Sequence, residues 1–194
     1  VSQYDHCLDN LLYRLRKGEL NIEITAVVSN HQGLRPMVER EGIRFIHLPV
    51  TKDTKPQQEE RLLEIIEETN SELTILARYM QILSEQFVKE YVGRVINIHH
   101  GFLPAFQGAK PYHQAYDRGV KIIGATSHYA TADLDEGPII EQDIQRVIHD
   151  NNPEDLAMIG KDIERLVLAR AVKAHIEHRI IISGRRTIVF SEGV

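Results

Sequence analysis

The chain has 194 residues, 42% of them hydrophobic and 26% charged, with a formal net charge of −5. That length suits one domain with a sizeable core, and the balance is that of an ordinary globular protein. The scattered Lys and Arg form no basic stripe of the kind nucleic acid requires, no apolar run reaches the ~18 residues of a spanning helix, and no signal-peptide pattern opens the chain.

Cys7 is the one cysteine. It allows neither an internal disulfide nor a thiolate metal cluster, and this predicts a reducing, cytoplasmic setting. Val1-Ser2 reads as the tail of a strand already in progress, which predicts further sequence on its N-terminal side. From residue 5 to 17, Leu8, Leu11, Leu12 and Leu15 recur at helical spacing, with Asp5 as cap and Gly18 as stop. Ile22 to Val28 reads as a strand, Gly33 to Glu41 as a short helix and Ile43 to Leu48 as a strand. Pro56 opens a helix whose apolar face is Leu62, Leu63, Ile65 and Ile66, and whose Glu-rich face is solvated rather than a cation site.

Leu73 to Leu76 predicts a strand, the region from Ser84 to Tyr91 a helix, and Val95 to Ile98 another strand. Strands alternating with helices of this length imply a Rossmann-like α/β sheet, mostly parallel and covered on both faces. After a short helix from Pro111 to Arg118, the segments Ile122 to Tyr129 and Pro138 to Val147 read as antiparallel strands joined by a polar turn. Pro153 opens the longest helical pattern, to about His178, and a hairpin from Ile180 to Phe190 closes the chain. The whole of residues 1–194 is expected to be one catalytic domain.

The chemistry concentrates where polar residues interrupt an apolar strand. Asn97 and His99 share one face of the run from Val95 to His99, at the carboxyl end where open α/β sheets place ligands. Asp135, beside Gly137-Pro138, stands in a turn able to face them. Asn97 can donate to a developing oxyanion, His99 can donate or shuttle a proton, and Asp135 can take one from an attacking water or amine. The same turn also reads as an ordinary surface loop, and His113 and His128 read as structural. No phosphate loop, GxGxxG or GxSxG is present. His175 and His178 fit a basic helix end better than a metal site. A zinc hydrolase is disfavoured because adjacent residues, His99 and His100, should point to opposite faces of a strand.

Asn97-Ile-His99, then Leu103-Pro104, Phe106 and Gly108, and later Asp135-x-Gly137-Pro138, resemble the signature of the folate-dependent formyltransferase fold. Within it, the wording from Leu76 to Ser84, at Asn97 to His100, from Gly108 to Ala115 and from Leu134 to Gln142 is similar to the formyltetrahydrofolate deformylase family, a likeness extending from Tyr4 to Phe190. The resemblance implies hydrolysis of 10-formyltetrahydrofolate to tetrahydrofolate and formate, with Asn97, His99 and Asp135 catalytic. It implies a folate pocket built from Arg78, Met80, Gln81, Ile82 and Leu83, with His100 and Leu134. No separate cofactor and no metal are expected, and the partners are the folate substrate and a second copy of the chain, with neither nucleic acid nor membrane.

Transferase relatives hold the acceptor's phosphate on a Gly-rich turn, which here falls at Ser2 to His6 and has no glycine. Without such anion-binding backbone, water becomes the expected nucleophile. Transfer to an amine acceptor, or a silent folate-binding module, are the alternatives. Gly101 stands where the family usually has serine, and Ser127 where a small apolar residue is common. The family's N-terminal regulatory domain of the ACT type has no counterpart in these residues.

Overall fold

The structure is a computed structural model that describes residues 1–51, 53–104 and 111–193. In order it contains α1 (His6–Arg16), β1 (Val27–Ser29), α2 (Arg35–Arg40), β2 (Phe45–His47), α3 (Lys55–Glu68), β3 (Thr74–Leu76) and α4 (Glu85–Glu90). Then come β4 (Val95–His99), α5 (Pro111–Arg118), β5 (Ile122–Tyr129), β6 (Ile139–Arg146), α6 (Pro153–Ile176), β7 (Ile180–Ser183) and β8 (Arg186–Val189).

Every expected element is present among these residues, but the N-terminal strands are shorter. Residues 22–26 have no ladder partner, because a strand exists only where another backbone pairs with it. Pairing begins at Val27, opposite Phe45. Asp5 stands at the N-cap position of α1 without a side-chain bond.

Sheet pairing changes character along the chain. β1 and β2 form a parallel pair, and β3-β4-β5-β6 form a separate four-stranded block in that order. Within the block β3 and β4 are parallel, while β4–β5 and β5–β6 are antiparallel. The sheet is therefore mixed, and the expected switch falls at β4. A cavity of about 610 Å³ separates the two blocks, lined by residues 21–28 and 69–77 among others, and none of Asn97, His99 or Asp135 borders it.

Helices cover both faces, as amphipathic patterning requires. Leu11 of α1 and Val167, Leu168 and Ala171 of α6 pack against Ile96 and Ile98 of β4 and Ile123 and Ala125 of β5. On the opposite face, Ile66 of α3 and Phe87, Val88 and Tyr91 around α4 pack on Val95. A third cluster joins Leu8 and Leu12 of α1 to Val38 of α2 and to Val27 and Phe45. The start of α6 is fixed by a reciprocal capping box between Asn152 and Asp155, with Pro153 in the first turn. Because β4 alternates, Ile96 and Ile98 commit one face to α6 and leave Asn97 and His99 on the other.

Candidate active site

Three elements deliver the site. β4 brings Asn97 and His99, β5 brings His128, and the connector between β5 and β6 brings Asp135. Asn97 and His128 are direct cross-strand partners, and Asn97 Nδ2 donates toward His128 Nε2 at 3.3 Å. Asp135 closes the group: its Oδ2 lies 3.1 Å from His99 Nδ1 and its Oδ1 3.5 Å from His128 Nε2.

The turn carrying Asp135 is held in an unusual conformation. Asp135 has φ +57, a left-handed value that aspartate tolerates better than most side chains. Two residues later, a Cβ on Gly137 would lie 1.7 Å from the Tyr129 carbonyl oxygen, so only glycine lets the turn fold this closely over β5. That carbonyl also accepts from His128 Nδ1 at 2.9 Å, which fixes the proton on Nδ1. His128 Nε2 is left facing Asn97 and Asp135.

The same logic orients His99. A carboxylate only accepts, so the His99 nitrogen facing Asp135, Nδ1, carries a proton, and Nε2 is buried with no protein partner. Burial pushes the Asp135 carboxyl up, but the His128 and His99 imidazoles beside it outweigh burial and hold it well below the usual carboxylate range. His100 is pushed down to about 4, chiefly by burial and then by the charges of Arg78 and His99. It is neutral near pH 7.

His99 and His100 do not diverge as alternation predicts. Their rings stack, with centroids 5.1 Å apart and planes at 18°, because β4 ends at His99 and the chain bends before His100 can continue the pleat.

The expected folate-binding residues divide. Leu76, the last residue of β3, is paired with Asn97, so the segment that follows leaves the sheet at the level of the site. There Met80 and Ile82 are exposed (53% and 54%), as is Leu134 (57%) in the connector before Asp135. Gln81 is half-buried. Leu83 instead packs against the cluster of Phe87, Val88 and Val95. Arg78 is buried at φ +58, its guanidinium 3.4 Å from Glu164 and 4.8 Å from the Tyr4 ring centroid. The Phe106–Gly108 motif lies outside the described residues.

His128, whose sequence setting predicts a structural part, touches both Asn97 and Asp135. The available signal was a histidine inside an apolar strand, the same signal that singled out His99. Gly101, for its part, has its carbonyl held by Thr126 Oγ1 at 2.9 Å, so the loop after His100 is tied to β5. Ser127 donates to the Asn97 carbonyl at 3.1 Å.

Among the described residues, His6, Cys7 and Glu164 bring metal-ligand atoms within 4.8 Å of one another. Their chemistry suits a cation poorly. Glu164 already accepts from His6 and Tyr112 and has Arg78 beside it, and burial, with Glu164's charge, pushes the Cys7 thiol far above its ordinary value.

The family described as Formyl transferase matches residues 1–172. A formyltetrahydrofolate deformylase from Corynebacterium sp. (strain P-1) is 52% identical over 189 residues, 97% of this chain and 66% of that protein. The chain therefore spans about two thirds of the length of the curated relatives it matches. The crystal structure of formyltetrahydrofolate deformylase from Burkholderia mallei superposes with a TM-score of 0.94 at 54% identity, covering 98% of this chain and 68% of that one. Glycinamide ribonucleotide transformylase 1 from Symbiobacterium toebii superposes at 0.91 with 29% identity, over 98% of this chain and 92% of its own.

Proposed function

This chain belongs to the formyl transferase family, and on that footing we propose that it hydrolyses 10-formyltetrahydrofolate to tetrahydrofolate and formate. The observation that supports this reading is the meeting of Asp135 with His99 at 3.1 Å, on the sheet face that Asn97 shares. An amide donor, an imidazole and a carboxylate around one point are the groups that attack on a formyl carbon requires.

Asp135 orients a water and takes its proton as the oxygen attacks. Asn97 Nδ2 carries two hydrogens, one aimed at His128, and the other is available to the tetrahedral oxyanion. His99 Nε2, without a protein partner, faces the same point and donates to the oxyanion when the ring carries its second proton. The low basicity of Asp135 means that the proton is not retained: it is relayed through water to N10 as the bond from N10 to the formyl carbon breaks. Met80, Ile82 and Leu134 offer exposed apolar surface for the flat pterin beside this point, and the backbone from Arg78 to Leu83 supplies polar edges.

The formate so released feeds purine synthesis and balances the one-carbon pool, in a cytoplasmic setting. No helix among the described residues is long and apolar enough to cross a membrane. Self-association is supported by the exposed apolar side chains of the closing hairpin, Ile181, Ile188 and Phe190. Incubating the protein with 10-formyltetrahydrofolate and no amine tests the reading: formate and tetrahydrofolate must appear in equal amounts, and their absence would end it.

A further inference from the structure

A second group of ionisable side chains lies against the catalytic residues without belonging to them. Glu164, from the middle of α6, is 0% exposed. It accepts from Tyr112 Oη at 2.6 Å and from His6 Nε2 at 2.7 Å, and Arg78 Nε stands 3.4 Å away. Four separate parts of the chain converge here: α1, the segment after β3, α5 and α6. His100 joins the group to the site, since its ring stacks on His99 and lies 6.4 Å from the Tyr112 ring. The charges of Arg78, Glu164 and Asp135 all reach it.

Stability does not account for this arrangement. Arg78 occupies a left-handed backbone conformation that costs a side-chain-bearing residue. Its Nε and Nη1, and His6 Nδ1, are buried without hydrogen-bond partners, and each such group carries a desolvation penalty. Gly160 must lack a side chain, because a Cβ there would lie 2.0 Å from Tyr112 Oη. Buried ion pairs are often no more stabilising than well-packed apolar residues. A network retained despite these costs is better explained by what it does to the neighbouring site.

We infer that Arg78, Glu164, Tyr112 and His6 fill the space beside His100 so that no formyl acceptor larger than water fits, and that this plug makes the site hydrolyse rather than transfer. The inference rests on the hydrolase reading. Asn97, His99 and Asp135 do not themselves distinguish the two reactions. In hydrolysis a C–O bond forms at the formyl carbon, the C–N10 bond breaks, the water proton leaves through Asp135, N10 is protonated and formate departs. With an amine, a C–N bond forms instead and the amine's proton takes the same route. The fold admits the second outcome, since a protein superposing at 0.91 is named for glycinamide ribonucleotide transformylation. The difference must lie in the room next to the trio, and in this chain that room holds buried side chains already bonded to one another.

The test follows the partition of the formyl group. The unchanged protein, Arg78→Gly and Tyr112→Phe are each incubated with 10-formyltetrahydrofolate and increasing glycinamide, and formate, N-formylglycinamide and tetrahydrofolate are quantified. Glycine suits the backbone at position 78 and removes the guanidinium, while Tyr112→Phe keeps the ring and removes one hydrogen bond to Glu164. The unchanged protein should yield tetrahydrofolate matched by formate at every glycinamide concentration. Arg78→Gly should raise the ratio of N-formylglycinamide to formate by about tenfold or more, with a smaller rise in Tyr112→Phe. Because the readout is a ratio, a general loss of activity does not move it. An unchanged ratio in both variants would overturn the plug, whereas failure of the unchanged protein to release formate would remove the hydrolase reading and the inference together.

Discussion

Asn97 and His128 face one another across the β4–β5 ladder, and their side chains meet at 3.3 Å with Asp135 Oδ1 3.5 Å from the same imidazole nitrogen. The site is thus a four-residue cluster built on a cross-strand pair, with His128 accepting from the amide and lying against the carboxylate.

Replacing the carboxylate tests the chemistry most directly. Asp135→Asn keeps the shape of the side chain but loses the proton acceptor and the charge opposite His99. Formate release should fall by about 10²- to 10⁴-fold, while folate affinity changes little. Near-normal turnover in this variant would remove Asp135 from the mechanism.

His128 touches no expected substrate atom, so its effect should come through position. In His128→Phe the ring volume is kept, but Asn97 and Asp135 each lose a partner. Displacement of catalytic groups by about 1 Å can cost on the order of 10²-fold, and a drop of that size in kcat with KM nearly constant is expected. A shift confined to KM would instead place His128 in substrate binding.

Gly137 offers a separate check on the turn. In Gly137→Ala the new methyl meets the Tyr129 carbonyl oxygen, so the connector must move away from β5 and carry Asp135 with it. A destabilisation of about 1–3 kcal/mol is expected from such overpacking, read as a lowered urea midpoint, together with reduced turnover. Unchanged stability would mean that the turn relaxes freely.

Burial of His100 predicts an acid-sensitive step in stability. Its folded pKa is pushed down to about 4 from an ordinary 6.5, so between these values the unfolded chain binds a proton that the folded chain refuses. The contribution is present above pH 6.5 and is lost as pH falls toward 4. Asp135, held below its ordinary 3.8, contributes stability that is lost only at more acid pH. His100→Phe should flatten the fall in urea midpoint between pH 6.5 and 4, and an identical slope in variant and unchanged protein would contradict the assignment.

Much of the molecule was legible from residue patterns because the relevant physics is local. Helical spacing of Leu8, Leu11 and Leu12, the Pro153 start of α6 and the apolar run of β4 each express a preference that the neighbouring residues alone determine. The polar interruptions at Asn97 and His99 were visible for the same reason, since burying such groups demands a purpose. Residues 22–26 have a strand's composition but form no strand, because a ladder needs a second backbone and no property of those residues reveals whether one lies beside them.

The remaining features depend on long-range proximity. Sequence patterns alone established the order of elements, the face of β4 that carries the amide and imidazole, and the presence of an acid in a turn beside Gly137-Pro138. Chain packing brought in what they could not: His128 arrives from 31 positions beyond Asn97, Glu164 reaches His6 across 158, and the His99 and His100 rings come together where the strand bends. Distances of that kind are set by how helices and strands settle against a shared core. One-dimensional spacing carries no trace of them.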